Sequence, residues 1–217
     1  MRKILATSVQ APLPPLSASR STQLDYLRHG EPSGGSRIRG NGVDDPLSEK
    51  GWQQMRDTTA GITGWQRVIS SPMRRCREFA DWLATGRGIP LEVLPDLREV
   101  GFGAWEGVRR DRLRTERSAE YDAFYRDPVR NRPAGAEPLD VFGSRVAATF
   151  EKLLDAYTGE HLLVVCHAGV IRATLGHVAR LPAIHWYRTE VDHAAITRLA
   201  HDRRGARLVA HNWRPSL

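Results

Sequence analysis

The sequence predicts an α/β domain built on a mostly parallel sheet, and three of its features indicate that fold. An apolar run at residues 24–27 ends abruptly in Arg28-His29-Gly30. A second run at residues 162–166 is apolar throughout, as in a central parallel strand buried on both faces, and it ends at His167. Amphipathic helical patterns lie between the two runs. Because loops diverge at the C-terminal edge of such a sheet and leave a crevice, we expect both histidines there.

Size and composition fit one large α/β domain with its own core. The 217 residues include 41% hydrophobic and 26% charged residues, as in ordinary globular proteins. No apolar run approaches the roughly 20 residues needed to span a bilayer. Only two cysteines occur, Cys76 in a predicted helix and Cys166 in a predicted strand, so we expect buried thiols and no disulfide framework. These features predict a soluble protein of the reducing cytoplasm, without a membrane partner.

The net charge of +7 makes nucleic acid or an anionic small molecule the natural partner to consider. The positive charge is spread along the chain and mixed with acids, and no nucleic-acid-binding motif accompanies it. We therefore expect no nucleic-acid partner. An electropositive pocket for a phosphate ester accounts for part of the charge.

Residues 1–22 are rich in Pro, Ser and Ala and show no sustained periodicity. The apolar run Ile4-Leu5-Ala6 is shorter than the ~7 to 15 residues of a signal-peptide core. We expect a disordered tail or an over-extended start site here, followed by a single domain over residues 23–217.

A glycine-rich, basic loop at residues 31–42 directly follows His29. Glycines let backbone amides approach an anion closely, and arginines attract it from a distance. We therefore expect this loop, with Arg39 and Gly40, to form a wall of the substrate pocket. Residues 44–51 lead into the first helix, with Ser48 as its N-cap.

A second strand is predicted at residues 66–70, followed by a helix with Ser71 as N-cap and Pro72 at its first position. Arg74 and Arg75 then lie in the first helical turn, where basic residues oppose the helix dipole. This placement suggests a compensating anion, and two surface arginines are the alternative.

The rest of the chain completes the alternation of strands and helices. The predicted elements are a third strand at residues 91–94, a charged helical insertion over the site at 108–127, an amphipathic helix at 141–157 with Val141 on its buried side, a helix beginning near Ala168, and a closing hairpin at 195–211.

Four segments in this order resemble the histidine phosphatase superfamily, also called the phosphoglycerate mutase-like family. They are Arg28-His29-Gly30-Glu31, SSPMRR at residues 70–75, LREVGFGAWEG at 97–107 and VVCHAGVIR at 164–172. The resemblance extends from about residue 23 to the C-terminus. It implies a three-layer α/β/α sandwich with a small helical cap near residues 106–135, and a metal-independent phosphatase that needs no cofactor.

The resemblance also implies a role for each matched residue. His29 becomes the nucleophile and Glu99 the proton donor. The phosphoryl group is bound by the other members of the catalytic set, which are Arg28, Arg75 and His167, with Ala168 beside them. Where neighbours compete, the family pattern selects Arg75 over Arg74 and Glu99 over Glu106. Glu31 is expected to be a supporting hydrogen-bond acceptor, and His177 and His193 are assigned structural roles.

These roles have physical reasons. A nucleophilic histidine needs an unprotonated nitrogen, and nearby arginines lower the pKa of the imidazole while complementing charge on the phosphoryl oxygens. An alkoxide is a poor leaving group, so a carboxylic acid must protonate it, and the same group as carboxylate can then activate water. The eight histidines include no His-x-x-x-His pair, and no metal-ligand spacing occurs.

Within the family the motifs look most like the α-ribazole phosphatases, which act on α-ribazole 5′-phosphate in cobalamin biosynthesis. A cofactor-dependent phosphoglycerate mutase or a broad-specificity phosphatase is the alternative. A non-catalytic phosphoprotein-binding relative and a basic nucleic-acid-binding module rank last. Two segments, at residues 77–79 and 133–137, depart from the phosphatase pattern. The pattern therefore does not determine which residues contact the leaving group of the substrate. We expect a monomer or a homodimer.

Overall fold

Six strands form one sheet with helices on both faces in the computed structural model, which describes residues 21–214. The strands are β1 (Thr22–Arg28), β2 (Arg67–Ser70), β3 (Leu91–Val93), β4 (His161–Cys166), β5 (Ile196–Asp202) and β6 (Gly205–Trp213). The helices are α1 (Glu49–Ala60), α2 (Arg74–Arg87), α3 (Arg110–Glu116), α4 (Ser118–Arg126), α5 (Leu139–Ala156) and α6 (Ala168–Ala179). Short 3₁₀ turns span Pro95–Leu97, Gly103–Trp105 and Ala183–Arg188. The predicted tail at residues 1–20 lies outside the described residues, and Thr22, assigned to that tail, opens β1.

The sheet is mostly parallel, in the strand order β3-β2-β4-β1-β5-β6. Strand β4 is central and runs parallel to both β1 and β2. Strands β5 and β6 form the predicted closing hairpin, and β5 runs antiparallel to β1. The prediction of a continuous apolar strand at the centre of the sheet is therefore confirmed.

Two hydrophobic cores lie on opposite faces of the sheet, as the alternation of side chains along β4 requires. Leu162 and Val164 pack with α5 and α6, whereas Leu163 and Val165 pack with α1 and α2. The three-layer α/β/α sandwich is confirmed. Both cysteines are buried and free, as expected. No helix in residues 21–214 is long and apolar enough to cross a membrane.

Helix α2 begins later than the sequence predicts, at Arg74, with Met73 as its N-cap. Ser71 lies two residues before the cap, where its Oγ accepts from Met73 N at 3.3 Å and also shares a hydrogen bond with a histidine from the end of another strand. Pro72 accordingly lies before the helix. The main-chain N–H of Arg74 donates to Asp44 Oδ1 at 2.8 Å, so the expected compensating anion at this helix end is one of the chain's own acids.

The other helix predictions are mostly confirmed. Ser48 is the N-cap of α1, where its Oγ accepts a hydrogen bond from Gly51 N at 3.0 Å. The predicted buried face of α5 is correct for Phe142 but wrong for Val141, which is 54% exposed. Leu139 and Phe142, three residues apart, turn toward the sheet and leave Val141 on the solvent side.

Helices α3 and α4 form the predicted charged insertion and have a small core of their own. Its buried members are Ile38, Trp105, Leu113 and Phe124. Ile38 belongs to the loop after β1, and its backbone exchanges hydrogen bonds with residues 107 and 108. The insertion is thereby fixed above the loop that follows His29.

Asp25 forms a fully buried polar network in the middle of β1. Its carboxylate accepts hydrogen bonds from Arg198 Nε at 2.6 Å, Trp65 Nε1 at 2.8 Å and His161 Nε2 at 2.9 Å. Burial by itself raises the pKa of Asp25, but the hydrogen bonds from Arg198 and His161 leave that pKa below its usual value. The carboxylate is therefore charged at neutral pH and ties three elements to β1.

We expect Asp25→Ala to destabilise the fold by about 3–5 kcal/mol, because it removes the acceptor shared by three buried groups. Urea unfolding monitored by circular dichroism measures the change. As a control, Glu151→Ala breaks an exposed pair with His177 and should change stability little. A loss below about 1 kcal/mol for Asp25→Ala would contradict the assigned importance of the network.

Candidate active site

The parallel pairing of β1 with β4 brings His29 and His167 together. Arg28 is opposite Cys166 in the register, and His29 N donates to the Cys166 carbonyl at 2.9 Å. Each histidine follows its strand directly, so both lie at the C-terminal edge of the sheet. Their ring centroids are 5.3 Å apart, at an interplanar angle of 64°. The predicted convergence of the two strands is what the structure shows.

His29 is 5% exposed and has a defined tautomer. Its Nδ1 lies 2.8 Å from the Gly30 carbonyl, which can only accept, so Nδ1 carries the proton and Nε2 carries the lone pair. Burial, followed by the charges of Arg75 and Arg28, lowers the pKa of His29 well below its usual value. The ring is neutral at pH 7 and can act as a nucleophile through Nε2.

His167 is fully buried behind His29. Its Nε2 shares a hydrogen bond of 2.7 Å with Ser71 Oγ, which also accepts from Met73 N. Burial, with the charge of Arg75 next, lowers the pKa of His167 well below its usual value. Ser71 therefore fixes the ring that packs against the candidate nucleophile.

A buried arginine, Arg75, and a partly buried one, Arg28, line the main cavity with their guanidinium groups held by main-chain carbonyls. Arg75 is 1% exposed and donates to the carbonyls of Val43 and Gly40, each at 3.0 Å. Arg28 donates to the Val191 carbonyl, and burial lowers the pKa of Arg28 to about 10, which leaves it charged at pH 7. The Nε atom of each arginine has no hydrogen-bond partner in the described part of the chain. The carbonyls use one donor of Arg28 and two of Arg75, so each guanidinium keeps other N–H donors for an anion.

Glu99 lies beside the N-terminus of α6 and lines the same cavity. Its Oε1 accepts from Val100 N at 3.0 Å and its Oε2 from Gly169 N at 3.2 Å. Glu106, its competitor in the sequence, instead accepts the main-chain N–H groups of Asn41 and Phe102. The structure thus places Glu99 on the cavity and Glu106 in the support of the neighbouring loops.

The loop after β1 is organised by Asp45, which forms ion pairs with Arg37 and Arg39. Arg39 lines the cavity, but four hydrogen bonds to Asp45 and to the carbonyls of residues 33, 35 and 37 occupy most of its five donors. The side chain of Glu31 pairs with Lys50 at the surface. The predicted pocket wall is present, and the structure gives Arg39 a supporting position within it.

The site has two connected regions. The main cavity, of about 550 Å³, is lined by His29, Arg28, Arg75, Glu99 and the loop with Arg39 and Gly40. A smaller region of about 140 Å³ adjoins it across Arg28, Glu99 and Phe102. We call this region the aromatic lobe, because its walls include Phe102, Trp105, Tyr125 and Tyr187, together with Ala168.

Two charged or polar residues that line the main cavity from outside the loop at residues 31–42 were not among the predicted site residues. His193, assigned a structural role from the sequence, lies 5.6 Å from His29 between ring centroids. Arg110, the first residue of α3, borders both the main cavity and the aromatic lobe. The signal for His193 was its position just before the closing hairpin. An antiparallel strand beside β1 begins at the edge where β1 ends.

Metal-ligating side chains do not cluster in the described residues, where no three His, Cys, Asp or Glu groups could hold an ion.

The sheet, the buried histidine pair and the immobilised arginines define an α/β enzyme that acts on phosphate esters. The chain belongs to the histidine phosphatase superfamily (branch 1), whose family model matches residues 25–214. It is a phosphoric monoester hydrolase.

Three similar proteins illustrate the relationship. The adenosylcobalamin/alpha-ribazole phosphatase of Salmonella typhimurium is 31% identical over 175 residues, which are 78% of this chain and 86% of that protein. The structure of a protein named mycobacterial hydrolase 1 superposes with a TM-score of 0.81 at 25% identity, covering 90% of this chain and 100% of the other. A mycobacterial glucosyl-3-phosphoglycerate phosphatase superposes with a TM-score of 0.78 at 25% identity, covering 89% and 99%.

The lowered pKa values of His29 and His167 predict a pH-dependent stability. Below the ordinary histidine pKa of 6.5 the unfolded chain binds protons that the folded protein does not, so stability is complete above pH 6.5 and falls as the pH drops. The expected slope is up to about 1.4 kcal/mol per pH unit for each histidine. Urea unfolding between about pH 7.5 and about pH 5.5 measures it.

Val129→Ala supplies the control, since Val129 is exposed and does not titrate, so the substitution should leave this slope unchanged. A profile that stays flat below pH 6.5 would show that the two buried histidines are protonated in the folded state.

Proposed function

We propose that the protein hydrolyses a small phosphate monoester through a phosphohistidine formed on His29, without a metal ion. The observation that carries this proposal is the state of His29. Its Nδ1–H donates to the Gly30 carbonyl, its Nε2 has no hydrogen-bond partner among the described residues, and the guanidinium groups of Arg28 and Arg75, with spare donors, line the same cavity. An in-line transfer needs a neutral nucleophile and fixed positive charge around the phosphoryl oxygens.

In the first step His29 Nε2 attacks phosphorus and the bond to the ester oxygen breaks. Glu99 delivers a proton to that oxygen, which leaves as an alcohol. In the second step Glu99, now a carboxylate, takes a proton from water as the water attacks the phosphohistidine, and inorganic phosphate leaves. Arg28 and Arg75 bind the phosphoryl oxygens in both steps.

His167 completes the phosphoryl site in this scheme, with Ser71 holding its ring. Ala168 and Gly40 contribute cavity walls, and Arg39 supports the loop that forms one wall of the main cavity. The two buried free thiols fit a reducing cytoplasm, in which we place the reaction, and a monomer or homodimer would suffice because one chain supplies every proposed group.

For the substrate we propose α-ribazole 5′-phosphate. Two findings support it: the name of the Salmonella relative and the aromatic lobe beside the cavity. A planar heterocycle on the leaving alcohol can stack against rings such as Phe102 and Tyr187 while the phosphate faces His29. The lobe's volume of about 140 Å³ suits one such ring system.

A second candidate is an acidic ester, as in a phosphoglycerate-type or broad-specificity enzyme. Arg110 favours it, because this residue lines both regions and its side chain makes no ion pair or hydrogen bond with another described side chain. A carboxylate on the leaving group could meet that charge. The mycobacterial glucosyl-3-phosphoglycerate phosphatase is a structural relative with such a substrate in its name.

Phosphate release in EDTA from a panel of esters tests the reaction and the substrate together. We expect turnover of α-ribazole 5′-phosphate above that of 3-phosphoglycerate and its glucosyl ester, and a loss of at least about 10³-fold in His29→Ala, since the nucleophile is gone. His177→Ala, a surface change, should retain full activity.

Each outcome of the panel has a reading. Preference for the acidic esters would support the second candidate. Transfer of phosphate between positions of phosphoglycerate, after priming with a bisphosphoglycerate, would indicate a mutase. No turnover of any kind would contradict the phosphohistidine scheme and favour a binding role, and salt-dependent binding of nucleic acid would then be measured.

The assignment of Glu99 as proton donor predicts a dependence on the leaving group. Glu99→Gln should lower kcat/KM, which reports formation of the phosphohistidine, about 10²- to 10⁴-fold on an alkyl phosphate, whose alkoxide needs a proton. The loss of kcat/KM should be much smaller on p-nitrophenyl phosphate, whose phenolate leaves unaided. Glu106→Gln is the matched variant: any loss it causes should be equal on both esters, because Glu106 holds loops together. Equal losses in Glu99→Gln would contradict its role.

A further inference from the structure

His193 is positioned at the site by a different strand from those that position His29 and His167. Strand β5 runs antiparallel to β1, so the residues just before Ile196 lie at the edge of the sheet where Arg28 and His29 leave β1. His193 belongs to this segment, residues 191–194, and lines the main cavity. It comes from the neighbour of β1 on the side opposite to β4, the strand that supplies His167.

The backbone on the C-terminal side of His193 is strained and fixed. Ala194 has a φ of 55°, a left-handed conformation that costs a residue with a Cβ roughly 1–2 kcal/mol. Its N–H donates to the carbonyls of Arg28 at 3.1 Å and His29 at 3.3 Å, and its carbonyl accepts from Thr58 Oγ1 at 2.8 Å. The strained residue is therefore bonded directly to the end of the strand that carries the nucleophile. Strain of this kind persists where the surrounding structure holds it in place.

The backbone on the N-terminal side is fixed as well. Asp192 N donates to Asn212 Oδ1 at 2.7 Å, and Arg28 donates to the Val191 carbonyl. Anchors on both sides leave His193 little freedom in the direction of its Cα–Cβ bond, and the ring is directed into the cavity.

The His193 ring is a polar group beside the nucleophile with no hydrogen bond to any described residue. Its centroid is 5.6 Å from that of His29, with the rings inclined at 41°. Burial, followed by the charges of Arg28, Arg39 and Arg110, lowers the pKa of His193 to about 3. The ring is therefore neutral at pH 7, with one N–H donor and a lone pair that is too weakly basic to be a useful proton acceptor. The donor is the group available to a ligand.

The phosphoryl group itself leaves room for a further donor. It presents three equatorial oxygens in the transition state, and each oxygen can accept more than one hydrogen bond, so a donor beside those of Arg28 and Arg75 can be accommodated. We propose that His193 donates its ring N–H to an oxygen of the phosphoryl group transferred to His29, as a further phosphoryl-binding residue. This inference rests on the proposed function of His29.

Two substitutions separate hydrogen bonding by His193 from packing. His193→Phe keeps a ring of similar size but removes the donor, and His193→Asn loses the ring but keeps an N–H. We expect His193→Phe to lower kcat/KM and the affinity for orthovanadate, a mimic of the transferring phosphoryl group, by roughly 10- to 100-fold. His193→Asn should stay within roughly fivefold of wild type. His177→Phe, at the exposed pair with Glu151, should match wild type.

A vanadate affinity in His193→Phe equal to that of wild type would overturn the inference. Equal losses of kcat/KM and vanadate affinity in His193→Phe and His193→Asn, with unchanged melting temperatures, would also overturn it, because they would show that the ring acts through packing. Either result leaves the role of His29 intact if wild type turns over and His29→Ala does not. A wild type that neither binds vanadate nor releases phosphate overturns both proposals.

A measurement on the wild-type protein tests the same inference if the His193 variants do not fold. With ¹⁵N-labelled histidine, saturating orthovanadate should move the ring N–H resonance of His193 and leave that of His177 in place. An unmoved His193 resonance under conditions where the His29 resonance shifts would overturn the inference.

Discussion

The register between β1 and β4 is the constraint on which the rest of the site depends. It places Arg28 opposite Cys166, so that the next residue of each strand is a histidine at the same sheet edge. A slip of one residue would turn the side chains of β1 to the opposite faces and separate the two rings. The register is specified strongly because both faces of β4 are buried, Leu162 and Val164 on one side and Leu163 and Val165 on the other. The same alternation that builds two cores therefore aligns the candidate catalytic groups.

Strand β1 places a buried carboxylate among hydrogen-bond donors in its middle and a buried histidine beside positive charges at its end. In its middle, Asp25 is buried among Arg198, His161 and Trp65, which donate to its carboxylate. At its end, His29 is buried beside Arg28 and Arg75 without a carboxylate of that kind, and main-chain carbonyls hold the guanidinium groups instead. Carbonyl dipoles fix the geometry of a cation but do not neutralise it. The first arrangement stabilises the fold, whereas the second lowers the pKa of His29 and leaves an excess of positive charge that a phosphate dianion can balance.

Several loops and short segments outside the sheet form the walls around the candidate phosphoryl site. The loop after β1 is stiffened by Asp45, and the segment before β5 contributes His193. The aromatic lobe combines Tyr125 of α4 with rings from outside the insertion, namely Phe102, Trp105 and Tyr187. The reaction site is thus held by the sheet, while the walls that meet the leaving group come from elements outside it. Variation in those walls can change the ester that is accepted without moving His29, which agrees with functional residues residing on loops supported by a rigid scaffold.

The sequence by itself determined the strands, the sheet type and the cap of α1 at Ser48, because apolar periodicity and capping are local properties. The candidate residues in the motifs, including both histidines, came from the resemblance of four ordered segments to the family. Only the tertiary structure decided the features that depend on distant partners. Ser71 was expected to cap α2, but its hydroxyl bonds His167 from another strand. Val141 was expected on the buried side of α5, and the position of that helix on the sheet exposes it. Arg39 was expected to bind substrate, and its donors are largely engaged by Asp45 and nearby carbonyls. His193 was assigned a structural role because no local pattern records that an antiparallel strand begins where β1 ends, and that direction is fixed only when the sheet assembles.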